Sequence, residues 1–243
     1  MSPVETGHVA TLQIDGQDVS ARENETVLEA ARQAGIEIPT LCHVEGLSIA
    51  GACRLCLVEV EGVNRPLPAC WTKVSEGMQV RTQSPRLQRY RQLILQMLLA
   101  ERNHVCSVCV SNGNCELQSL AQQHGVDHVE LAYRWPALGV DSSHDRFRLD
   151  HNRCVLCGRC VRVCGEIEGA HTKDFAGRGI EAEIINDLKE LWGDSETCTA
   201  CGKCVHVCPT GALSEKGLSV AEMVKQRRFL PYLTFMRETH NGS

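Results

Sequence analysis

Aromatic residues are scarce in this sequence: four Phe, three Trp and three Tyr among 243 positions. Aromatic side chains supply much of the buried area of ordinary cores, so 4% aromatic content leaves little bulk for large apolar interiors. Long apolar runs are missing too. The most apolar stretch, Leu93 to Ala100, is interrupted by Gln96 and falls far below the roughly 20 residues of a membrane-spanning helix. There is no basic excess: 25 Lys and Arg stand against 30 Asp and Glu, a formal net charge of -5, which argues against the basic stripe of a nucleic-acid binder. The opening MSPVETGHVA has no basic segment followed by an apolar one, so no secretory signal is expected. P-loop and nucleophile-base arrangements are also lacking. The expectation is a soluble protein of a reducing cytoplasm.

What the sequence does have is 15 cysteines. In a reducing compartment such usage points to metal or redox chemistry rather than to disulfides, and the odd count argues against simple pairing. The cysteines fall into four groups: Cys42, Cys53, Cys56 and Cys70; Cys106, Cys109 and Cys115; Cys154, Cys157, Cys160 and Cys164; Cys198, Cys201, Cys204 and Cys208. The last two groups are an internal repeat offset by 44 residues, CVLCGRCVRVC against CTACGKCVHVC, identical at seven of eleven positions. Both read C-x2-C-x2-C-x3-C.

Around these groups the pattern is mixed α and β. Thr11 to Ile14 and Gln17 to Val19 flank Asp15-Gly16, a hairpin-turn dipeptide. Thr26 to Glu29 has capping-box spacing, and Gly35 suits a C-terminal cap, so a helix is expected between them. Leu55 to Val60 reads as a strand. From Arg86 to Arg102, Leu87, Tyr90, Ile94, Met97 and Leu98 follow helical spacing and are expected to pack into a core. Glu116 to His124 reads as a short helix, and Tyr133 to Asp145 as a linker. In the tail a helix is expected from the capping pattern Ser219 to Glu222, carrying Lys225, Arg227 and Arg228 as solvated charge.

The ligand arithmetic follows from the spacing. In two-cluster ferredoxins, three thiolates of each C-x2-C-x2-C-x3-C run converge on one cluster and the fourth crosses to the other. Cys154, Cys157, Cys160 and Cys208 are therefore assigned to one 4Fe-4S cluster, and Cys164, Cys198, Cys201 and Cys204 to a second. Pro209 follows Cys208 as usual, whereas Gly165 follows Cys164. The first group, with x10 in place of the usual x4, keeps the inner pair and distant fourth ligand of a plant-type 2Fe-2S site, so Cys42, Cys53, Cys56 and Cys70 are assigned to a 2Fe-2S cluster. The second group needs a fourth ligand. His104 stands two residues before Cys106, on the same side of an extended segment, and with Cys106, Cys109 and Cys115 it completes a third 4Fe-4S set; a water-exposed or three-iron site is the alternative. Zinc also takes four Cys or His ligands, but three cysteines in a row at intervals of three are the iron-sulfur pattern.

Other features are weaker. Gly177 to Ala182 loosely fits a dinucleotide-binding G-x-G-x-x-G/A but has no apolar strand before it and no clear helix after it, and is read as a turn. Backbone N–H groups near Gly158 and Gly202 are candidate donors to cluster sulfurs, and Arg159, Arg162 and Lys203 are expected to be solvated surface charges, with adjustment of cluster potential or docking as the alternative.

The motifs HVCSVCVSNGNCELQ, LDHNRCVLCGRCVRVC and IEGAH, the last at Ile167 to His171, make the chain resemble the N-terminal iron-sulfur region of the large complex I subunit and of iron-only hydrogenases. Within that group it is most similar to the small diaphorase subunits of bidirectional, NAD(P)-linked nickel-iron hydrogenases, and the resemblance covers residues 8 to about 215. Relative to complex I, only Val105 separates His104 from Cys106 where three residues are usual, and the paired ferredoxin repeat is retained. The resemblance implies an α+β fold in four parts. These are a plant-type ferredoxin-like (β-grasp) domain over 1–80, a small helical His/Cys cluster domain over 81–145, a bacterial two-cluster ferredoxin-like domain over 146–215, and a tail over 216–243 that could dock a partner. It implies an oxidoreductase subunit with no active site of its own, moving single electrons between a flavin/NAD(P)-binding diaphorase subunit and the small and large subunits of a nickel-iron hydrogenase. The chain stops soon after the second repeat, leaving no expected room for a molybdopterin-type or hydrogen-forming domain. The corresponding subunit of an iron-only hydrogenase, a formate dehydrogenase or a respiratory NADH dehydrogenase is the nearest alternative, and a zinc-stabilised scaffold the alternative of another class.

Overall fold

The computed structural model describes residues 8–233 and 235. Residues 1–7, where no secretory signal is expected, and the last part of the basic tail lie outside the described residues. The chain forms two compact units, Met1–Thr40 with Cys53–Ile94, and Leu41–Ala52 with Leu95–Ser243. Among the described residues no helix is long and apolar enough to cross a membrane.

The first unit is a five-stranded sheet with a helix. Strands β1 (Val9–Ile14) and β2 (Gln17–Arg22) pair antiparallel with Ile14 opposite Gln17. The turn between them needs positive φ at both central residues, and Asp15 (52°) and Gly16 (83°) provide it. Helix α1 (Val27–Gln33) carries the expected capping box: the Glu29 backbone N–H donates to Thr26 Oγ1 at 3.3 Å and the Thr26 N–H donates to the Glu29 carboxylate at 2.7 Å. Val27, Leu28, Ala30 and Ala31 are its buried face. Strands β3 (Leu57–Val60), β4 (Leu67–Pro68) and β5 (Gln79–Arg81) complete the order β2-β1-β5-β3-β4, in which β1 and β5 run parallel.

Helix α2 (Pro85–Glu101) corrects one expectation. Its buried line runs through Leu87, Arg91 and Leu95, whereas Met97 is about half exposed. Arg91 belongs to that line because it has work inside the first unit: its guanidinium donates to the Leu55, Leu57 and Thr82 carbonyls at 3.3, 3.0 and 2.8 Å. Three backbone acceptors that would otherwise lack partners are satisfied by one side chain.

The second unit is built of short pieces. After helix α3 (Glu116–Gln123) comes the expected linker, which also contains β6 (Val140–Asp141). Strand β7 (Phe147–Asp150) and helix α4 (Arg159–Arg162) follow, then the hairpin of β8 (Lys173–Ala176) and β9 (Glu183–Asn186). Helix α5 (Lys203–Val207) and strand β10 (Leu213–Glu215) close the repeat, and β10, β7 and β6 form a three-stranded sheet. The Gly177 to Ala182 segment is the turn of the β8–β9 hairpin, where a Cβ on Gly177 would strike the Glu181 carbonyl. Phe147 and Trp192, stacked with centroids 5.4 Å apart, are the large aromatic rings of this core. Trp71, Tyr133, Trp135, Phe175, Tyr232 and Phe235 are exposed, so aromatic packing adds little elsewhere.

The tail differs from expectation. Ser219 and Glu222 make half of a capping box, the Ser219 N–H donating to Glu222 at 2.7 Å, yet residues 222–227 form no helix, and helical structure starts only at Leu230. The segment lies against the cysteine segment instead: the Ala221 and Met223 N–H groups donate to the Cys109 and Val110 carbonyls at 3.2 and 3.0 Å. Backbone bonding to the cysteine segment outcompetes a local helix of weak apolar periodicity. Lys225 and Arg227 are correspondingly not solvated. Lys225 Nζ donates to the Val205 and Leu213 carbonyls, and Arg227 donates to those of His206 and Cys208.

Candidate metal centres

The two cysteine-rich loops of the second unit share a backbone as well as a sequence. Leu156 and Ala200, each preceding the second cysteine of its run, both have φ of 51°, and Gly158 (69°) and Gly202 (73°) follow as the N-caps of α4 and α5. Such alternation turns successive N–H groups toward a common concavity. Leu156 is one example: its N–H donates to Cys154 Sγ at 3.4 Å. The loops diverge at their ends. Helix α5 stops at Cys208, whose extended backbone (ψ 126°) suits the following Pro209. Helix α4 instead continues as a π-helical turn, Val163–Glu168. That accounts for Gly165 where a proline is usual: proline would break the turn, and a Cβ there would stand 3.0 Å from the His171 ring.

Two cavities open between these loops. One is lined by Cys154, Cys157, Cys160 and Cys208 with apolar neighbours such as Leu149, Ile184 and Leu213. The other is lined by Cys164, Cys198, Cys201 and Cys204. Each therefore brings together three cysteines of one loop and the fourth of the other. A third cavity is lined by His104, Cys106, Cys109 and Cys115. A Cβ at Gly211 would come within 2.5 Å of Cys109 Sγ, so only glycine fits in that wall.

His104 has the environment of a neutral donor. Its ring is buried, Nε2 has no hydrogen-bond partner, and the ring bonds to the Leu98 backbone. Burial above all, then the Arg153 charge, holds its pKa at about 4. An imidazole fixed through one nitrogen by a carbonyl, with the other left over in a thiol-lined cavity, has the usual arrangement of a metal-ligating histidine.

Burial acts on the thiols in the opposite sense, pushing Cys115 and Cys157 up to about 11 and Cys154 and Cys204 up to about 12. They are uncharged thiols at neutral pH unless a cation takes the protons' place. Among the described residues no two cysteines form a disulfide. Nor, among the described residues, do three His, Cys, Asp or Glu side chains converge tightly enough to hold a single metal ion. The remaining set is divided between the units: Cys53, Cys56 and Cys70 are in the first, Cys42 in the second. Its assignment remains one of sequence spacing.

The charges beside the loops are held by protein groups rather than standing free in solvent, contrary to expectation. Arg159 is 2% exposed and is held by the Glu116 carboxylate and by the Val207 and His43 carbonyls. Arg162 donates to the Cys42 and Ser48 carbonyls at 2.5 Å each. Lys203 pairs with Glu168, which also accepts from Thr199 Oγ1 at 2.8 Å. Glu168 belongs to the IEGAH motif and so ties the end of the first loop to the second. Lys173 and Trp192 were not signalled by any spacing, yet both line the Cys164, Cys198, Cys201 and Cys204 cavity, and Trp192 Nε1 donates to Cys198 Sγ at 3.2 Å.

Comparison with known proteins defines the class. Residues 8–85 match a 2Fe-2S iron-sulfur cluster binding domain, 91–130 the NADH-ubiquinone oxidoreductase-G iron-sulfur binding region, and 145–214 the ferredoxin-like domain of NADH-quinone oxidoreductase subunit 3. The fold and sites are those of an α+β iron-sulfur protein, a ferredoxin-like 2Fe-2S domain followed by 4Fe-4S regions. The chain is 30% identical over 217 residues to subunit gamma of the NAD-reducing hydrogenase HoxS of Cupriavidus necator, covering 89% of this chain and 91% of that one. A crystal structure of an NAD+-reducing NiFe-hydrogenase in the H2-reduced state contains a chain with a TM-score of 0.81 and 38% identity, covering 90% of this chain and 93% of that one. The NADPH-Fe(3+) oxidoreductase subunit alpha of Geobacter sulfurreducens is 40% identical over 217 residues; the match takes in 86% of this chain but only 24% of that longer one. The chain belongs to the family of iron-sulfur subunits that includes HoxS subunit gamma, related to the complex I 75 kDa subunit.

Proposed function

We propose that this chain is the electron-transfer subunit of a bidirectional NAD(P)-linked nickel-iron hydrogenase. In this reading it carries single electrons between a flavin/NAD(P)H-oxidising diaphorase subunit and the small and large hydrogenase subunits, in a cytoplasmic hetero-oligomer. It holds one 2Fe-2S cluster, on Cys42, Cys53, Cys56 and Cys70, and three 4Fe-4S clusters. The ligands of those three are His104, Cys106, Cys109 and Cys115; Cys154, Cys157, Cys160 and Cys208; and Cys164, Cys198, Cys201 and Cys204. The domains are a β-grasp ferredoxin-like domain over 1–80, a His/Cys domain over 81–145, a two-cluster ferredoxin-like domain over 146–215 and a tail over 216–243.

The observation that carries the reading is three cavities, each walled by four side chains of one assigned set. Four thiols, or three thiols and an imidazole, set around a common cavity without converging on one point suit a body of several atoms. A zinc ion held at about 2.3 Å from each sulfur would need them gathered on a point. Bound clusters supply one-electron redox couples whose potentials depend on burial, charge and hydrogen bonds to sulfur. The chain's own residues set those conditions. Leu149, Ile184 and Leu213 keep water from the first ferredoxin cavity, and the Leu156 N–H and Trp192 Nε1 donate to Cys154 and Cys198. The chain needs other subunits at both ends, one to exchange hydride and one to handle hydrogen.

A second reading, the electron-entry segment of a longer NAD-linked oxidoreductase, draws on the Geobacter relative of which this chain spans about a quarter. Affinity capture of the chain from its native cells distinguishes the two. Co-purification of a flavoprotein and nickel-containing subunits is expected; capture with an iron-only hydrogenase, formate dehydrogenase or quinone-reducing complex overturns the hydrogenase assignment.

A further inference from the structure

The two ferredoxin loops share their cysteine spacing, seven of eleven residues and the backbone leading into their helices, and the sites they form differ in what surrounds them. The cavity of Cys154, Cys157, Cys160 and Cys208 has no charged side chain in its wall. That of Cys164, Cys198, Cys201 and Cys204 has Lys173 and Lys203. Lys203 is neutralised by Glu168. Lys173 is different: it opens β8, is 3% exposed, and its partners carry no charge. Its ammonium donates to Asn186 Oδ1 at 2.5 Å and sits 3.3 Å from the centroid of the Trp192 ring. Burial pulls its pKa below that of an ordinary lysine, opposed by the sulfurs of Cys204, Cys198 and Cys164 of this set and of Cys160 of the other.

The Asp141 carboxylate acts on Lys173 from beyond hydrogen-bond contact, and an ammonium taken out of water without a carboxylate directly against it is costly to a fold. It becomes favourable when the cavity it faces holds a body coordinated by four thiolates. We propose that Lys173 is a built-in positive charge that raises the reduction potential of the cluster held by Cys164, Cys198, Cys201 and Cys204, partly through the Trp192 indole. The inference rests on the cluster assignment proposed above. Accepting one electron makes the site more negative by one unit, and a fixed cation in a water-poor wall stabilises that product more than the starting state. Trp192 extends the effect: the cation over its ring face draws electron density toward itself and sharpens the Nε1–H as a donor to Cys198 Sγ, 3.2 Å away.

The test is a redox titration of the full cluster-loaded chain followed by electron paramagnetic resonance, comparing wild type with Lys173→Met and Lys173→Arg at equal iron and sulfide content. In Lys173→Met one midpoint should fall, with at least a tenfold loss in that site's reduction equilibrium constant, about 59 mV for one electron. The midpoint of the Cys154 site, which meets Lys173 through Cys160, should fall less, those of the His104 and 2Fe-2S sites should stay in place, and Lys173→Arg should remain near wild type. Loss of that one cluster from the Met variant with its retention in the Arg variant would express the same dependence on charge. Coincident midpoints in wild type and Lys173→Met, or loss of the cluster from both variants, would overturn the inference. A wild-type chain without cluster signals would instead overturn the cluster reading on which it rests.

Discussion

Arg159 donates to both oxygens of the Glu116 carboxylate at 2.8 Å, joining the residue beside Cys115 to the residue beside Cys160. Arg227 of the tail closes on the same carboxylate. One acid thus holds together the His/Cys segment, the first ferredoxin loop and the tail. Removing it leaves Arg159 charged and buried. Glu116→Gln should destabilise the cluster-loaded protein by about 3 kcal/mol, the low end for a broken buried pair because Glu116 keeps some solvent contact. A denaturant melt checks this; an unchanged midpoint would mean the backbone carbonyls alone satisfy Arg159.

Gly211 borders the third cavity with no room for a methyl group against Cys109 Sγ. Gly211→Ala should displace that thiol and remove the His104 site's cluster while sparing the ferredoxin pair. Iron analysis with electron paramagnetic resonance should show one signal lost and the others retained; loss of all, or of none, speaks against the local account.

Burial raises the thiol pKa values, so Cys154, Cys157 and Cys204 hold their protons at neutral pH in the folded, cluster-free chain. Their contribution to the stability of that form is present below the ordinary thiol pKa of about 8.5 and is lost as pH climbs through about 11 to 12. Ligation needs thiolates. Loading with iron and sulfide should therefore release protons and proceed faster as pH rises from about 7 to about 9, measurable in a weakly buffered reconstitution. Loading without proton release would contradict thiolate ligation.

Cys157→Ser should damage the Cys154, Cys157, Cys160 and Cys208 site and interrupt long-range transfer, while NADH-dependent dye reduction by the flavin partner stays largely intact. Loss of dye reduction would show that this site lies on the route between flavin and dye.

Much of this was legible in the sequence because it is local. The Asp15-Gly16 turn, the Thr26 and Glu29 capping box and the recurring C-x2-C-x2-C-x3-C spacing are short-range features whose geometry is set within a few residues. The crossing of Cys208 and Cys164 to opposite cavities was accessible because the repeat imposes a pseudo-symmetry. What escaped depends on distant partners. Arg91 looks like surface charge on a helix until three carbonyls of the first unit meet it. Arg159 reads as a loop charge until Glu116, 43 positions away, is brought against it. The tail pattern Ser219 to Glu222 has sound capping chemistry, but backbone pairing with Cys109 and Val110 overrides it. Lys173 and Trp192 belong to no motif; only the hairpin of β8 and β9 and the packing of Trp192 bring them to the cysteines.

The central claim is that these side chains cage iron and sulfide. Iron and acid-labile sulfide analysis of anaerobically prepared chain, with electron paramagnetic resonance during stepwise reduction, addresses it most directly. The account predicts a coloured protein carrying both elements, one 2Fe-2S signal and three 4Fe-4S signals appearing in turn. A colourless protein holding zinc, with no signal at any potential, would contradict it.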